Sequence, residues 1–147
     1  MLLKNAYIEN ATKSQDIRIE KETFTAIADH LTPLPNEEVI DLNYKLVLPP
    51  FIEPHVHLDS ALTAGQPKWN ESGTLFEGIQ TWSIRQQDLT VEDVKNRAIQ
   101  AIKKQASNGI QFVRSHVDST APNLTAMRAL LDVRAELKGT IELQICA

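Results

Sequence analysis

The sequence predicts an α/β fold, on three observations. Several short runs before residue 45 alternate apolar with polar side chains, as half-buried strands do. Two longer stretches, near 90–108 and 123–138, carry apolar residues at helical spacing. Three apolar runs, at 46–54, 110–118 and 140–146, alternate with those helical stretches along the second part of the chain. Strand–helix–strand–helix–strand in that order implies parallel pairing through right-handed crossovers.

In the first 45 or so residues, Leu2–Ile8 and Asp16–Glu20 show partial alternation. Phe24–Ile27 and Val39–Leu42 are further short strands, with Pro33, Pro35 and Asn36 marking the loop between them. The run Leu46–Pro54 is apolar almost throughout and reads as a parallel-type strand buried on both faces. Residues 60–88 form a long connection broken by Gly65, Pro67, Gly73 and Gly78. A connection of that length is functional or disordered, and Trp69, Phe76 and Trp82 offer area worth burying, which argues for order. Thr90 and Asp93 then start a helix in the manner of a capping box, and Gly109 stops it. Val94, Ala98, Ala101, Ile102, Gln105 and Ala106 form its inner side; Glu92, Asp93, Lys95, Arg97, Lys103 and Lys104 read as a solvated face. A strand over 110–118 follows. The next helix, about Asn123 to Lys138, turns Leu124, Met127, Leu130, Leu131 and Leu137 inward and ends at Gly139. A last strand begins at Thr140. A complete barrel of eight such units takes about 250 residues, so at most three of its strands are expected, as in the N-terminal third of an enzyme.

Composition narrows the function. With 42% hydrophobic and 23% charged residues, the chain is globular rather than disordered. Its net charge of −4 offers no basic patch for a nucleic-acid backbone, although free bases carry no phosphate and stay possible as ligands. Lys4, Asn5 and Glu9 interrupt the apolar core a signal peptide would need, and no run reaches membrane-spanning length. A single cysteine, Cys146, excludes an internal disulfide, suits a cytoplasmic location and reads as a buried strand residue. Phosphate-binding glycine loops, nucleophile elbows and C-x-x-C pairs are missing, so nucleotide cofactors and serine or cysteine nucleophiles have no support.

The feature with most chemical content is His55-Val56-His57, at the end of the apolar run. Residues two apart on a strand point the same way, so both imidazoles can present a neutral nitrogen to one divalent ion at roughly 2.0–2.1 Å. In barrels of parallel strands, chemistry sits where the strands run out into loops. His116 and Asp118, two apart on the next strand, can share a face; His116 could be a third ligand or a polar residue lining the barrel mouth, and Asp118 could orient a histidine. Asp59 reads as an orienting group or a strand-end cap, and His30 as a solvated residue. Arg85 and Arg114 could hold the loop or a strand end.

The wording Pro49-Pro50-Phe51-Ile52-Glu53-Pro54-His55-Val56-His57-Leu58-Asp59 resembles the first metal-binding strand of the amidohydrolase superfamily, in the version found in bacterial cytosine deaminases. Thr63–Pro67 through Trp69-Asn70 to Ser72–Ile79, and Gly109-Ile110-Gln111 through Val113-Arg114 to His116-Val117-Asp118, are similar to the same family in register. The resemblance implies a small β-sandwich domain, in part, over 1–48 and the first units of a (β/α)8 TIM barrel, about three strands, over 49–147. It implies one divalent metal ion, iron or zinc, with His55 and His57 as ligands, His116 as a polar residue lining the barrel mouth and not a third ligand, and contact to the base through the main-chain carbonyl of Leu75. The implied reaction is hydrolysis of cytosine at C4 to uracil and ammonia through metal-activated water. The family's glutamine, later histidine, H-x-x-E strand and aspartate ligand would lie beyond Ala147, so no catalytic proton-transfer group is expected within this chain and activity of the chain alone is in doubt. Partners implied are a small-molecule substrate and further copies in a homo-oligomeric parent, with neither nucleic acid nor membrane. Two rival readings stand beside this one: a sister amidohydrolase acting on isoguanine or a triazine-type amino ring, and a non-catalytic truncated product that associates through its open strand edge.

Overall fold

The computed structural model describes all 147 residues, which divide into two units, Met1–Pro49 and Pro50–Ala147. In the first unit the chain forms β1 (Leu2–Ile8), β2 (Gln15–Glu20), β3 (Thr23–Ala28), β4 (Val39–Asp41) and β5 (Leu46–Val47). Their order is β3-β2-β1-β4, with β5 pairing the far end of β1. Asn5 explains why β1 has two partners. At φ 55° it occupies the left-handed region that asparagine tolerates, and the β1–β2 register shifts between Leu3 and Ala6. Leu2–Lys4 therefore pair with β4, and Tyr7–Ile8 with β5. Leu2, Ala6 and Ile17 form the buried centre of this unit.

The second unit holds a parallel sheet ordered β6-β7-β8: β6 (Phe51–Val56), β7 (Ile110–His116) and β8 (Glu142–Cys146). Between β6 and β7 lie α1 (Leu75–Arg85), a short 3₁₀ turn (Gln86–Asp88) and α2 (Val91–Ala106). Helix α3 (Thr125–Glu136) joins β7 to β8. Helix α2 starts where its sequence predicts: the Thr90 hydroxyl accepts from the Asp93 N–H, and Gly109 at φ 85° follows its end. One core joins Val94, Ala98 and Ile102 of α2, Ala126, Ala129, Leu130 and Val133 of α3, and Val113 and Leu143 of the sheet. Fully burying each of the valine, leucine and isoleucine side chains among them is worth about 1.5–3 kcal/mol, so this seam is what fixes the helices on the sheet.

Four expectations are corrected. The apolar run 46–54 is two strands, because Pro49-Pro50 supplies no N–H to a ladder. Nor is β6 buried on both faces: Phe51 and Ile52, on opposite faces of this edge strand, are 57% and 67% exposed. The 60–88 connection contains α1, whose start is a capping pair: Thr74 accepts from the Glu77 N–H, and the Glu77 carboxylate accepts from the Ser72 N–H. In α3 the inward face is Ala126, Ala129, Leu130 and Val133, while Leu124 and Leu131 are exposed. Leu124 sits at φ 50° as the residue before the helix, which starts later than its leucine spacing predicts.

Candidate functional site

Strands β6 and β7 bring three of the chain's four histidines to one end of the parallel sheet. His55 and His57, on or just after the end of β6, are both exposed, with ring centres 5.4 Å apart. Two imidazoles sharing an ion at about 2.0–2.1 Å place their ring centres about 5 Å apart, so this pair fits two nitrogens on one metal. His116, the last residue of β7, does not complete a set of three. Its ring stacks on His55 with centres 4.0 Å apart and planes 23° apart, an arrangement in which lone pairs run side by side instead of converging. No group of three or more histidine, cysteine, aspartate or glutamate side chains is placed to hold a metal. The residues present thus fit part of a metal centre, the share that two histidines can supply. Partial burial lowers the pKa of His116, and the neighbouring His55, His57 and Arg114 lower it further.

Asp59 anchors the turn after His57. It is 1% exposed; its carboxylate accepts from the N–H of Ser60 at 3.0 Å and of Asp118 at 2.8 Å, tying the end of β6 to the end of β7. One of its oxygens stands 3.9 Å from His57 Nδ1, too far for a hydrogen bond yet close enough to favour an N–H on that side of the ring. The Leu58 N–H donates to the Ser115 hydroxyl at 3.1 Å, a second tie between the two strand ends. Asp118 does not orient a histidine. Its carboxylate accepts from Trp82 Nε1 (3.2 Å), Gln86 Nε2 (2.7 Å) and the N–H and hydroxyl of Thr120, so it holds α1 and the turn beyond it over the strand ends.

An open cleft of about 680 Å³ lies beside His57, lined by Asp59, Gln66, Trp69, Thr81, Trp82 and Asp118 among others. Thr81 is 9% exposed and its hydroxyl has no protein partner. His55 and Leu75 do not line the cleft. Leu75 opens α1 with a 74% exposed side chain; the same helix carries Gly78, Thr81 and Trp82 onto the cleft wall. Trp69 and Phe76, expected to bury area, are 68% and 78% exposed, while Trp82 is the tryptophan that is tied in. Hydrogen bonds from the Ser72 hydroxyl and N–H pull Glu77 down to about 2, so it stays a carboxylate at the start of α1.

Sequence reasoning missed Arg97, placed on the solvated face of α2 yet 8% exposed. Its guanidinium donates to the carbonyls of Asp59 (2.8 Å) and Ala61 (2.7 Å) and to Asp93 (2.9 Å). The available signal was its spacing: Arg97 follows Val94 by three and precedes Ile102 by five, at the border of the inner face. Arg85 serves the loop, bonding Gln66 and Asp93, and Arg114 bonds Gln144 on β8.

Comparison with known proteins bears on this geometry. The family model described as "Amidohydrolase family" matches residues 38–142. The structure of 5-methylcytosine deaminase from Klebsiella pneumoniae liganded with phosphonocytosine is 42% identical, with a TM-score of 0.91, over 100% of this chain and 36% of that one. The same enzyme liganded with 5-fluorocytosine gives 42% and 0.89 over 99% of this chain and 35% of that one. N-isopropylammelide isopropyl amidohydrolase of Pseudomonas sp. (strain ADP) is 28% identical over 152 residues, 100% of this chain and 38% of its own length. The chain therefore spans a little over a third of the length of these relatives. No helix is long and apolar enough to cross a membrane.

Proposed function

This chain belongs to the amidohydrolase family, and from that premise we propose that the whole protein hydrolyses the exocyclic amino group of a pyrimidine base, turning cytosine into uracil and ammonia at C4. The observation that carries the reading is the His55–His57 pair, with ring centres 5.4 Å apart, at the end of a parallel strand. These two residues hold one divalent ion, zinc or iron, through one nitrogen each. When bound, such an ion supplies the Lewis acidity that brings water's pKa towards neutrality.

The chain's own residues do the holding. Asp59 fixes the backbone that follows His57, and His116 covers one face of His55. Helix α1 forms a wall of the cleft through Gly78, Thr81 and Trp82. Leu75, at the start of α1 and outside the cleft described above, is assigned a main-chain carbonyl contact to the base on the family resemblance, and proton transfer to the departing ammonia falls to a group outside residues 1–147. In this reading residues 1–48 are part of a small β-sandwich domain, 49–147 are the first units of a (β/α)8 barrel, and the whole protein is a cytoplasmic homo-oligomer. The cytosine-type substrate is supported by the 42% identity over the whole chain to a 5-methylcytosine deaminase.

One observation favours a second substrate, an amino-substituted triazine: the 28% identity, also over the whole chain, to an N-isopropylammelide hydrolase. Ammonia or amine release by the whole protein, loaded with zinc or iron(II), separates the two on cytosine, 5-methylcytosine, isoguanine and N-isopropylammelide. The expected result is a kcat/KM for the cytosines at least about 100-fold above the others, the scale on which buried polar groups reject a mismatched ring. Turnover of N-isopropylammelide alone moves the assignment to the triazines, and turnover of none of the rings overturns it.

A further inference from the structure

Arg97 makes five hydrogen bonds to three residues from one buried position on α2. Nη1 donates to the carbonyls of Asp59 (2.8 Å) and Ala61 (2.7 Å), Nη2 to Asp93 Oδ2 (2.9 Å), and Nε to both oxygens of Asp93 at 3.3 Å. Asp93 is in turn held by Arg85 Nη2 at 2.8 Å, and Arg85 Nε reaches Gln66 at 3.2 Å. Nearly all of the guanidinium's donors are committed: those of Nε and Nη2 to Asp93 on the same helix, those of Nη1 to backbone two and four residues after His57. That segment has no regular ladder of its own, since β6 ends at Val56 and the next helix starts at Leu75. Its shape therefore depends on what side chains bring to it.

We propose that Arg97 is a positioning residue for the His55–His57 strand end, acting through the backbone of Asp59 and Ala61. Fixing the Asp59 carbonyl aims the Asp59 carboxylate, which then bridges the Ser60 and Asp118 N–H groups and stands 3.9 Å from His57 Nδ1. Asp93 supplies the counter-charge that lets a guanidinium be buried there. Lysine cannot replace it: an ammonium offers three donors from one point, whereas this site needs a planar fork that spans two carbonyls on one side and a carboxylate on the other. The functional consequence rests on the reading of His55 and His57 as metal ligands; the structural one does not.

The test uses the whole protein with Arg97→Lys, and with Val94→Ala as a control that weakens the core on the same helix without touching this network. Two quantities are read: hydrogen-exchange protection of the Ser60 and Asp118 amides without metal, and the dissociation constant for zinc alone. Arg97→Lys is expected to lower protection of those two amides at least about tenfold while α3 and β8 amides hold, and to weaken zinc binding at least about fivefold. Val94→Ala is expected to leave the zinc constant unchanged. Unchanged protection at Ser60 and Asp118 overturns the proposal, as does equal weakening of zinc binding by Val94→Ala. If Arg97→Lys unfolds, the wild-type guanidinium decides by NMR: resolved, slowly exchanging Nη protons support the clamp, and one averaged, fast-exchanging signal overturns it. If the whole wild-type protein binds no zinc, the metal assignment fails, and the exchange measurement still decides the role of Arg97.

Discussion

Asp16 in the first unit and Asp59 in the second bond in nearly the same way. Asp16 is 2% exposed, accepts from the N–H groups of Asn5 (3.0 Å) and Leu31 (2.9 Å), and has His30 Nδ1 at 3.6 Å. Asp59 is 1% exposed, accepts from Ser60 (3.0 Å) and Asp118 (2.8 Å), and has His57 Nδ1 at 3.9 Å. Each unit also contains an arginine clamp that joins a carboxylate to a carbonyl: Arg18 with Glu37 and Thr32, and Arg97 with Asp93, Asp59 and Ala61. The difference lies in the imidazoles. His30 is 70% exposed and stands by itself, whereas the other three histidines of the chain gather around the end of β6. A buried aspartate with a nearby histidine is thus a way of fixing a turn. It becomes part of a candidate metal centre only where a second imidazole reaches the same point in space.

The largest effect that can break this comparison comes from removing the two aspartates. Asp59→Ala leaves two backbone N–H groups short of an acceptor and should destabilise the chain by about 3 kcal/mol, read by urea unfolding, and it should also abolish zinc binding. Asp16→Ala should cost a similar amount, about 2–3 kcal/mol, yet leave the zinc dissociation constant unchanged. Loss of zinc binding in both would show that the aspartates act only through general stability.

Next in size is a pair of neighbouring leucines in the core that supports the histidine-bearing sheet. Leu130 is fully buried and Leu131 is 40% exposed. Leu130→Ala should cost about 3 kcal/mol and Leu131→Ala less than about 1 kcal/mol in the same unfolding measurement.

The smallest effect separates the clamps by acid. Hydrogen bonding to Arg18 holds Glu37 at about 2, below the ordinary glutamate value of 4.5. A depressed carboxylate stabilises the fold fully above the unfolded value and loses that contribution as pH falls through the folded one. The melting midpoint should therefore drop between about pH 4.5 and pH 2. In Glu37→Gln the drop should be shallower over that window, and an identical profile would remove Glu37 from the account.

Much of this arrangement was legible from residues alone. Thr90, Asp93 and Gly109 bracket α2, and the alternation of apolar strands with helices gives the parallel order of β6, β7 and β8. His55 and His57 could be paired because a strand returns to the same face every two residues. The rest depended on tertiary geometry. Helix α1 was hidden because its apolar residues Leu75, Phe76 and Ile79 are exposed and glycines surround it; only Thr74-Leu75-Phe76-Glu77 signalled a start. Arg97 sits in a run of charges, and nothing local says that one of them meets a loop 36 or 38 residues earlier. The inner face of α3 is richer in alanine than its leucines suggest, because close packing against α2 favours small side chains at the contact. Asp118, expected beside a histidine, is instead taken by Trp82 and Gln86, donors that come from α1 and the 3₁₀ turn after it, which the sequence did not reveal.

The most direct measurement is calorimetric titration of zinc into the wild-type chain and into His55→Ala, His57→Ala and His30→Ala. Each histidine of the pair supplies one of two bonds, so His55→Ala and His57→Ala should each weaken binding at least about tenfold, while His30→Ala, beside the matching aspartate of the first unit, should leave it unchanged. Zinc bound as tightly by His57→Ala as by the wild-type chain would contradict the account at its centre.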